Sequence, residues 1–235
     1  MRMGIGLTGV LQSSTEQLSW LNEGYEELRE YDSRYSQLHG FNPSIKLTTI
    51  KPSGTLSLLP GVTPGIHPGY SQYMYRRIRI AAENPLVDVC KAHGYPTEFQ
   101  RNFDGTDDYN TVVVTFPFSY PEGTVLAKDM TALEQLKYVR KMQEEWSDNA
   151  VSCTVYFKKE ELPALKAYLA KNYRDNHKSL SFLLHSEHGF AQAPYEEISK
   201  ETYDKLVAST TPITSIGSAD FEANDECVSG ACPIK

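Results

Sequence analysis

The sequence predicts an α/β fold, in which β-strands alternate with α-helices along the chain. Runs of β-branched and apolar residues that are typical of strands occur at Lys46–Ile50, Thr111–Phe116 and Asn149–Phe157. Segments with helical spacing of apolar residues, or with helix-capping signals, lie between and beyond these runs. Such alternation is typical of α/β domains, and 235 residues suffice to bury a core, so we expect one or two domains of this class.

The N-terminal segment predicts one strand or helix start, one helix and one strand. Residues 1–10 are apolar and contain glycine, and we expect them to begin a buried strand or helix. The dipeptide Ser13-Ser14 precedes apolar residues at helical spacing, which predicts a helix that ends near Tyr35. His39-Gly40 closes this helix ahead of the strand at Lys46–Ile50.

The middle of the chain predicts an extended segment, a short helix and a strand. Residues Tyr73–Ile80 are expected to be extended. Asn84-Pro85 has the pattern of an N-cap with proline at the first helical position, and the helix should end at Gly94. The strand at Thr111–Phe116 is expected to stop at Pro117.

Three helices and a tail are predicted after that strand. Thr131 and Glu134 fit a capping box, and this helix should run to about Trp146. Glu160–Tyr173 and Tyr195–Val207 are also expected to be helical. From residue 209 onward the sequence is polar and offers little to pack, which predicts a flexible tail over residues 209–235.

The composition argues against several classes of function. A formal net charge of −7 and the lack of a basic stripe argue against nucleic-acid binding, and the short cluster Arg76–Arg79 is expected to be a solvated strand edge. We expect no membrane span and no signal peptide, because no apolar run is long enough and no small-residue cleavage site is visible. Four cysteines, two of them in apolar segments, do not resemble a secreted disulfide framework, so a reducing, cytoplasmic location is expected.

A candidate anion site lies at Pro52–Ser57, where a strand runs into a Gly/Ser/Thr turn and a helix start. At such a junction backbone N–H groups and the positive end of the helix dipole converge. The hydroxyls of Thr55 and Ser57 add further donors. The pattern predicts a phosphate cradle, and a plain turn is the alternative, because short Pro-Ser-Gly-Thr strings are common.

Two cysteines, Cys227 and Cys232, lie in the polar tail with Gly230 between them, near enough in sequence to form a disulfide. In a reducing compartment such a pair is redox-active or metal-binding. Zinc would need two more ligands at suitable spacing, and none lies nearby, so the redox role is favoured and no metal site is predicted. The adjacent Asp225 and Glu226 would raise the pKa values of the thiols.

Other reactive side chains have ordinary explanations. Cys90 and Cys153 are expected to be small buried apolar residues. His67 lies in the Pro/Gly-rich loop and is either a ligand contact or a structural hydrogen-bonding residue. Asp148-Asn149 is expected to cap the preceding helix, with substrate binding as the alternative. Three histidines match no metal motif and are expected to be surface or core residues: His177, His185 and His188.

Four blocks of the sequence, in this order, resemble the C-terminal part of the adenosylcobalamin-dependent (class II) ribonucleoside-triphosphate reductases. The blocks are TTIKPSGTLSLLPGVTPGIHPGYSQYMYRRIR, NAVSCTVYF, QAPYEEI and CVSGACPIK. The resemblance implies a ten-stranded α/β barrel of the ribonucleotide reductase type. This chain would supply the C-terminal portion of that barrel over residues 1–208, followed by a redox tail over residues 209–235.

The resemblance also implies a substrate site and a cofactor. The substrate would be a ribonucleoside triphosphate, and the cofactor would be adenosylcobalamin. The segment Gly61–Tyr70, and His67 within it, is a candidate region for cofactor contacts. The loop that holds the substrate phosphate would consist of Ser53, Gly54, Thr55, Leu56 and Ser57.

The terminal cysteines would have a redox role by the same resemblance. Cys227 and Cys232 would reduce the active-site disulfide after each turnover, and thioredoxin or a similar dithiol would reduce them in turn. A thiolate must travel to a buried disulfide for this exchange, which a flexible tail allows.

One part of the family pattern is missing. In the family the radical-bearing cysteine lies in an NPCGE-like string on a finger loop, and no such string occurs here. Residues Arg2–Val10 resemble the family segment that comes directly after that loop, and neither Cys90 nor Cys153 matches a catalytic cysteine. We therefore expect a fragment or split subunit that is inactive without the N-terminal part of the reductase, which would be a separate chain.

Two other functions remain open from the sequence. The chain can be a stand-alone nucleotide-phosphate-binding module with a thiol-responsive or metal-responsive tail. A weaker alternative is a thiol–disulfide carrier in which only the tail acts. The first alternative requires a self-contained sheet and nucleotide binding by the isolated chain.

Overall fold

The computed structural model of the chain describes residues 2–184 and 191–214. These residues divide into two compact units. The first unit contains the described residues of 2–74, 118–184 and 195–199, and the second contains those of 75–117, 191–194 and 200–214. Among these residues, no helix combines the length and the hydropathy that are needed to cross a membrane.

Strands and helices alternate along the described chain. The strands are β1 (Arg2–Gly6), β2 (Lys46–Thr49), β3 (Tyr73–Ala81), β4 (Thr97–Arg101), β5 (Asp107–Ser119), β6 (Thr154–Phe157), β7 (Ser181–Leu184) and β8 (Tyr195–Glu197). The helices are α1 (Thr15–Ser19), α2 (Leu21–Leu38), α3 (Leu86–Ala92), α4 (Ala132–Glu145), α5 (Leu162–Asn176) and α6 (Lys200–Ser209).

The first unit contains two parallel strand pairs. Strand β1 pairs with β2, and β6 pairs with β7. The Ser152 N–H, just before β6, donates to the Ile50 carbonyl, just after β2, at 2.9 Å. Parallel neighbours need a crossover connection, and α2 lies within the first connection and α5 within the second. The predicted α/β class is therefore confirmed.

Helix α4 supplies much of the core of the first unit. Leu136, Val139 and Met142 recur at helical spacing and are at most 1% exposed. They belong to one cluster with Val151 and Val155, which flank the start of β6. Ile50, which lies between β2 and the predicted phosphate loop, belongs to the same cluster, so α4 also packs against the segment that leads into that loop.

Two predicted helix boundaries agree closely with the structure. Thr131 Oγ accepts a hydrogen bond from the Glu134 N–H at 3.3 Å, and the Glu134 carboxylate accepts one from the Thr131 N–H at 2.8 Å. This capping box begins α4, which ends one residue before Trp146. The single helix expected after Ser13-Ser14 is instead divided at Trp20 into α1 and α2, and α2 ends at Leu38, beyond the expected end near Tyr35.

The second unit has its own small core. Val87 and Cys90 of α3 pack with Val112 and Val114 of β5. Strands β4 and β5 of this unit pair in an antiparallel arrangement. Asn84 was predicted as the N-cap of α3 with Pro85 as the first helical residue, but the N-cap is Pro85 and the helix begins at Leu86. The Asn84 Oδ1 accepts a hydrogen bond from the Leu86 N–H at 2.9 Å, in the turn just before the helix.

Two strand predictions for the first unit were partly wrong. Strand β1 forms, but all 5 of its residues are exposed, because β2 is its one strand partner among the described residues. The strand expected over Asn149–Phe157 is confined to Thr154–Phe157. Before it, Asn149 and Ser152 make single backbone hydrogen bonds to the β2 segment instead of a continuous ladder.

Two further boundaries differ from the predictions. Strand β5 runs through Pro117 to Ser119, because β4 pairs only as far as Val114 and the missing proline N–H therefore costs no bond to β4. The helix predicted over Tyr195–Val207 is a short strand followed by α6. The Ile198 N–H donates to the Tyr73 carbonyl at 3.1 Å, so sheet pairing overrides the helical pattern there.

The basic cluster Arg76–Arg79 was wrongly predicted as a solvated strand edge. Arg77 donates to the Ala193 carbonyl at 3.1 Å, and Arg79 donates to the Gln192 carbonyl at 3.3 Å. The guanidinium groups have several donors each and so hold the segment 191–194 against β3 within the second unit.

The predicted division at residue 208 stays a prediction. The Thr211 N–H donates to the His93 carbonyl at 2.9 Å, and Ile213 packs on the core of the second unit. Residues 215–235, which make up most of the predicted tail, lie outside the described residues.

Asp148 and Asn149 do not cap α4, which was their expected role. The Asp148 carboxylate accepts hydrogen bonds from the Leu47 N–H at 2.9 Å and from the Tyr25 hydroxyl at 2.8 Å. The Asn149 Nδ2 donates to the Thr48 carbonyl at 2.8 Å. Both side chains therefore satisfy backbone groups of β2 and fix this strand beside the end of α4.

Asp148 makes stability depend on pH in a predictable direction. Burial alone would raise its pKa, but the hydrogen bonds from Leu47 and Tyr25 outweigh burial and hold the pKa below its ordinary value. The ionised carboxylate thus stabilises the fold above the ordinary pKa, and this stabilisation is lost as the pH falls through the lowered pKa.

We expect Asp148→Asn to lower the free energy of unfolding by about 1–3 kcal/mol near neutral pH, because a hydrogen bond to a charged acceptor is lost. The deficit should shrink at an acidic pH below the ordinary aspartate pKa, where protonation of the wild-type carboxylate sets in. Urea denaturation at both pH values measures this, with the exposed Asp129→Asn as the control. A deficit that is equal at both pH values would contradict the prediction.

Candidate functional site

The predicted phosphate loop, Ser53–Ser57, lies in the first unit shortly after β2. It leads into a 3-10 helix of 3 residues, Leu56–Leu58, and the Ser57 N–H donates to the Ser53 carbonyl at 3.0 Å. The expected helix start is therefore a single tight turn. So short a helix has little dipole, and anion binding here has to depend on local donors instead.

Ser53 has a strained backbone and is held from one side by Thr8. Its φ is 38°, in the left-handed region that residues other than glycine seldom adopt. Ser53 Oγ lies 3.0 Å from Thr8 Oγ, which is also 3.1 Å from the Thr63 carbonyl. A carbonyl only accepts, so the Thr8 proton goes to Thr63 and Ser53 donates its own proton to Thr8. Donation from Ser53 to a ligand would require exchange of that bond.

The other predicted loop residues differ in accessibility. Gly54 is partly buried, and Thr55 and Leu56 are exposed. Ser57 is 0% exposed, and its hydroxyl has no hydrogen-bond partner among the described residues. In this arrangement the Ser57 hydroxyl cannot reach a ligand, and the surface of the loop consists of the four residues before it.

A cavity of about 340 Å³ adjoins this loop within the first unit. Pro52 and Gly54 line it on the side of the loop, and four tyrosines also line it. Lys128 and Glu197 also line the cavity and bring one charge of each sign. Its volume lies in the range of small-molecule sites, which are typically apolar with a few placed polar groups. The tyrosines are Tyr70, Tyr120, Tyr156 and Tyr195.

Two of the phenol groups in this cavity, those of Tyr156 and Tyr70, have raised pKa values. Burial raises the pKa of Tyr156, and its neighbours Cys153, Tyr70 and Tyr195 raise it further. Burial also raises the pKa of Tyr70, with Glu197 adding to the effect. These hydroxyls therefore keep their protons and can donate hydrogen bonds.

His67 is engaged by the backbone through both ring nitrogens. Nδ1 lies 3.0 Å from the Pro64 carbonyl and must donate to it, and Nε2 accepts from the Thr154 N–H at 3.0 Å. Burial lowers the pKa of His67, and the hydrogen bond to Pro64 offsets this only in part, so the ring is neutral. This geometry favours the structural role of His67, because coordination of a ligand would break one of these bonds.

The other candidate side chains fall into two groups. Cys90 and Cys153 are buried as predicted, and burial raises the pKa of Cys153 to about 12. His177 is buried with its Nε2 3.1 Å from the Tyr168 hydroxyl, and the described residues contain no cluster suited to a metal ion. The remaining candidates lie outside the described residues: His185, His188, Cys227 and Cys232.

Sequence reasoning missed two residues that contact the loop. Thr8 was assigned only to an apolar N-terminal stretch, and Tyr195 was assigned to a helix. Tyr195 instead lies on β8, and its hydroxyl donates to the Gly54 carbonyl at 2.7 Å. The sequence carries no local signal for either contact, because both partners are distant along the chain.

Comparison with known proteins agrees with this fold. The sequence model of the family described as "Ribonucleotide reductase, barrel domain" matches residues 21–183. The adenosylcobalamin-dependent ribonucleoside-triphosphate reductase of Euglena gracilis is 34% identical, over 97% of this chain and 33% of its own length. That of Levilactobacillus brevis is 38% identical, over 91% of this chain and 30% of its own length.

A solved structure shows the same similarity in three dimensions. It is described as a crystal structure of a B-12 dependent (class II) ribonucleotide reductase. The match has a TM-score of 0.71 at 35% identity and covers 85% of this chain and 28% of that chain. The chain spans about a third of the length of the curated relatives. With its parallel strand pairs and the family match over residues 21–183, the chain belongs to the ribonucleotide reductase family and forms part of its barrel domain.

Proposed function

We propose that this chain is the part of an adenosylcobalamin-dependent ribonucleoside-triphosphate reductase that holds the substrate phosphates and carries the reducing dithiol. The whole enzyme would convert ribonucleoside triphosphates to their 2′-deoxy forms. The observation that carries the proposal is the shaped loop beside a cavity of ligand size, in a chain whose relatives bear that name.

The phosphates would lie on the exposed side of the loop. Ser53, Gly54, Thr55 and Leu56 offer backbone groups and hydroxyls there, and backbone N–H groups in a tight turn are suited to anions. Ser57 would support the loop from within, unless the loop opens and exposes its hydroxyl. Lys128 on the wall of the adjoining cavity would add positive charge.

Adenosylcobalamin would supply the radical that begins the reaction. His67, the candidate cofactor contact, does not fit the role of a ligand, because both of its nitrogens bind the backbone. We therefore assign no cobalamin contact to the described residues and propose the cofactor as a requirement of the whole enzyme.

Cys227 and Cys232 would deliver the electrons. The thiolate of one would attack the active-site disulfide, form a mixed disulfide with one site sulfur and release the other as a thiol. The second tail thiol would then attack the tail sulfur of the mixed disulfide and displace the site sulfur that is still bound to it. The tail would be left as a disulfide and the site as a dithiol, and thioredoxin or a similar dithiol would reduce the tail again. Cys90 and Cys153 are buried and do not suit this exchange.

A separate N-terminal part of the reductase would complete the barrel. Strand β1 is wholly exposed at the edge of its two-stranded sheet, and an uncovered edge is suited to pairing with another segment. The finger-loop string that would bear the radical cysteine is absent from the sequence. Both observations support an active site that is completed by residues outside this sequence.

We expect the isolated chain to form no deoxynucleotide from a ribonucleoside triphosphate, adenosylcobalamin and dithiothreitol, because the radical-bearing cysteine is missing. Addition of the N-terminal part should restore product, measured by chromatography. With thioredoxin as reductant, Cys227→Ser/Cys232→Ser should abolish multiple turnover, whereas Ser229→Ala should not. Product from the isolated chain would contradict the proposed division of the site.

We also expect Thr55→Asp to weaken binding of inorganic triphosphate to the 235-residue chain by roughly tenfold, because it places a negative charge beside bound phosphate. Isothermal titration calorimetry measures the dissociation constant. Phe103→Asp is the matched control, since it makes the same charge change at a side chain that is 103% exposed in the second unit. Equal weakening by both variants would contradict a phosphate site at the loop.

The alternative function, a stand-alone nucleotide-phosphate-binding module, has a different expected result. It would be favoured if the chain is a stable monomer that binds nucleotide tightly and that the N-terminal part of the reductase does not activate.

A further inference from the structure

Tyr195 reaches the phosphate loop from a distant part of the chain. Its hydroxyl donates to the Gly54 carbonyl at 2.7 Å, across 141 positions of sequence. Both residues belong to the first unit. A hydrogen bond with this separation fixes the loop relative to β8 instead of stabilising the loop from within.

The ring of Tyr195 is itself held in place. It packs on a cluster formed by the buried residues Met74, Tyr120 and Leu126, and its centroid lies 5.9 Å from that of Tyr70 in a stacked arrangement. Leu58, at the end of the loop, packs on the same cluster. The ring and the end of the loop therefore share one rigid support, so the hydroxyl is presented at a defined position.

The contact with Gly54 is close enough to require glycine. A Cβ atom at position 54 would lie 2.9 Å from the Tyr195 hydroxyl, which is shorter than a normal van der Waals contact. The main chain can approach Tyr195 only because residue 54 has no side chain.

The loop is thus fixed at two neighbouring residues. Thr8 contacts the Ser53 side chain at 3.0 Å, and Tyr195 contacts the Gly54 carbonyl. Between these contacts lies the strained backbone of Ser53, and such a conformation persists only where surrounding contacts enforce it.

We propose that Tyr195 is a positioning residue for substrate phosphate, acting through the peptide group that joins Gly54 to Thr55. That peptide is planar, so a bond that fixes the Gly54 carbonyl also fixes the direction of the Thr55 N–H. The inference rests on the proposed phosphate loop. It adds that a residue outside the loop sets the orientation of a backbone donor within it.

The first test compares two deletions of a phenol hydroxyl in the full 235-residue chain, with inorganic triphosphate as the probe. Tyr195→Phe should weaken binding by roughly three- to tenfold, the range expected for the loss of one hydrogen bond. Tyr168→Phe is the matched control, because it removes a hydroxyl that lies 3.1 Å from His177 in the same unit, away from the loop. The control should bind triphosphate as the wild type does.

A double-mutant cycle separates positioning from general packing. Gly54→Ala should weaken binding strongly in the wild type, because its Cβ meets the Tyr195 hydroxyl. In the Tyr195→Phe background that hydroxyl is gone, so Gly54→Ala should add little further loss. Additive losses would show that the effect of Gly54→Ala does not depend on the Tyr195 hydroxyl, and they would overturn the contact on which the proposal rests.

Hydrogen exchange gives a readout that needs no ligand. The Ser57 N–H, which bonds to the Ser53 carbonyl at 3.0 Å, should exchange severalfold faster in Tyr195→Phe and unchanged in Tyr168→Phe. Failure of the wild type to bind triphosphate would overturn the proposed function. If the wild type binds, equal affinity and equal exchange in wild type and Tyr195→Phe would overturn only the role of Tyr195.

Discussion

The position of the candidate site depends on how strand β2 is fixed to the end of helix α4. Thr48 Oγ donates to the Trp146 carbonyl, and the Trp146 indole N–H donates to the Thr49 carbonyl at 3.2 Å. Asp148 accepts from the Leu47 N–H on the same strand. These polar contacts are partly or fully buried and set the register of β2 against α4. Because β2 leads directly into the loop at Ser53, this register also decides where the loop lies.

The loop depends on its surroundings more than on its own sequence. The loop ends in a 3-10 helix of a single turn and has few hydrogen bonds within itself. The backbone of Ser53 is also strained, because its φ is positive. Contacts from the N-terminal segment and from β8 enforce the conformation. A loop shaped in this way keeps its backbone donors in one arrangement before a ligand arrives, which reduces the conformational entropy that binding would otherwise cost.

Elements with local signals were predictable from sequence, and long-range contacts were not. The capping box of Thr131 and Glu134 located α4 to within a residue, because the motif acts within one turn. The short strand at Tyr195 was mistaken for helix, since its pairing with the β3 segment is a tertiary effect. The exposure of strand β1 and the burial of the Ser57 side chain were not predicted, for the same reason. The exposure of a residue depends on the neighbours that the folded chain places around it.

The short distance between position 54 and the Tyr195 hydroxyl has an evolutionary consequence. A side chain at the position of Gly54 would bring its Cβ to 2.9 Å from a tyrosine hydroxyl at the position of Tyr195, so one of the two would have to shift. Whether a substitution is tolerated at one of these two positions therefore depends on the residue at the other, although 141 positions separate them in sequence. Two blocks of the chain that look independent in a single sequence, PSGT and QAPYEEI, are thus expected to change as a pair among descendants of a common ancestor.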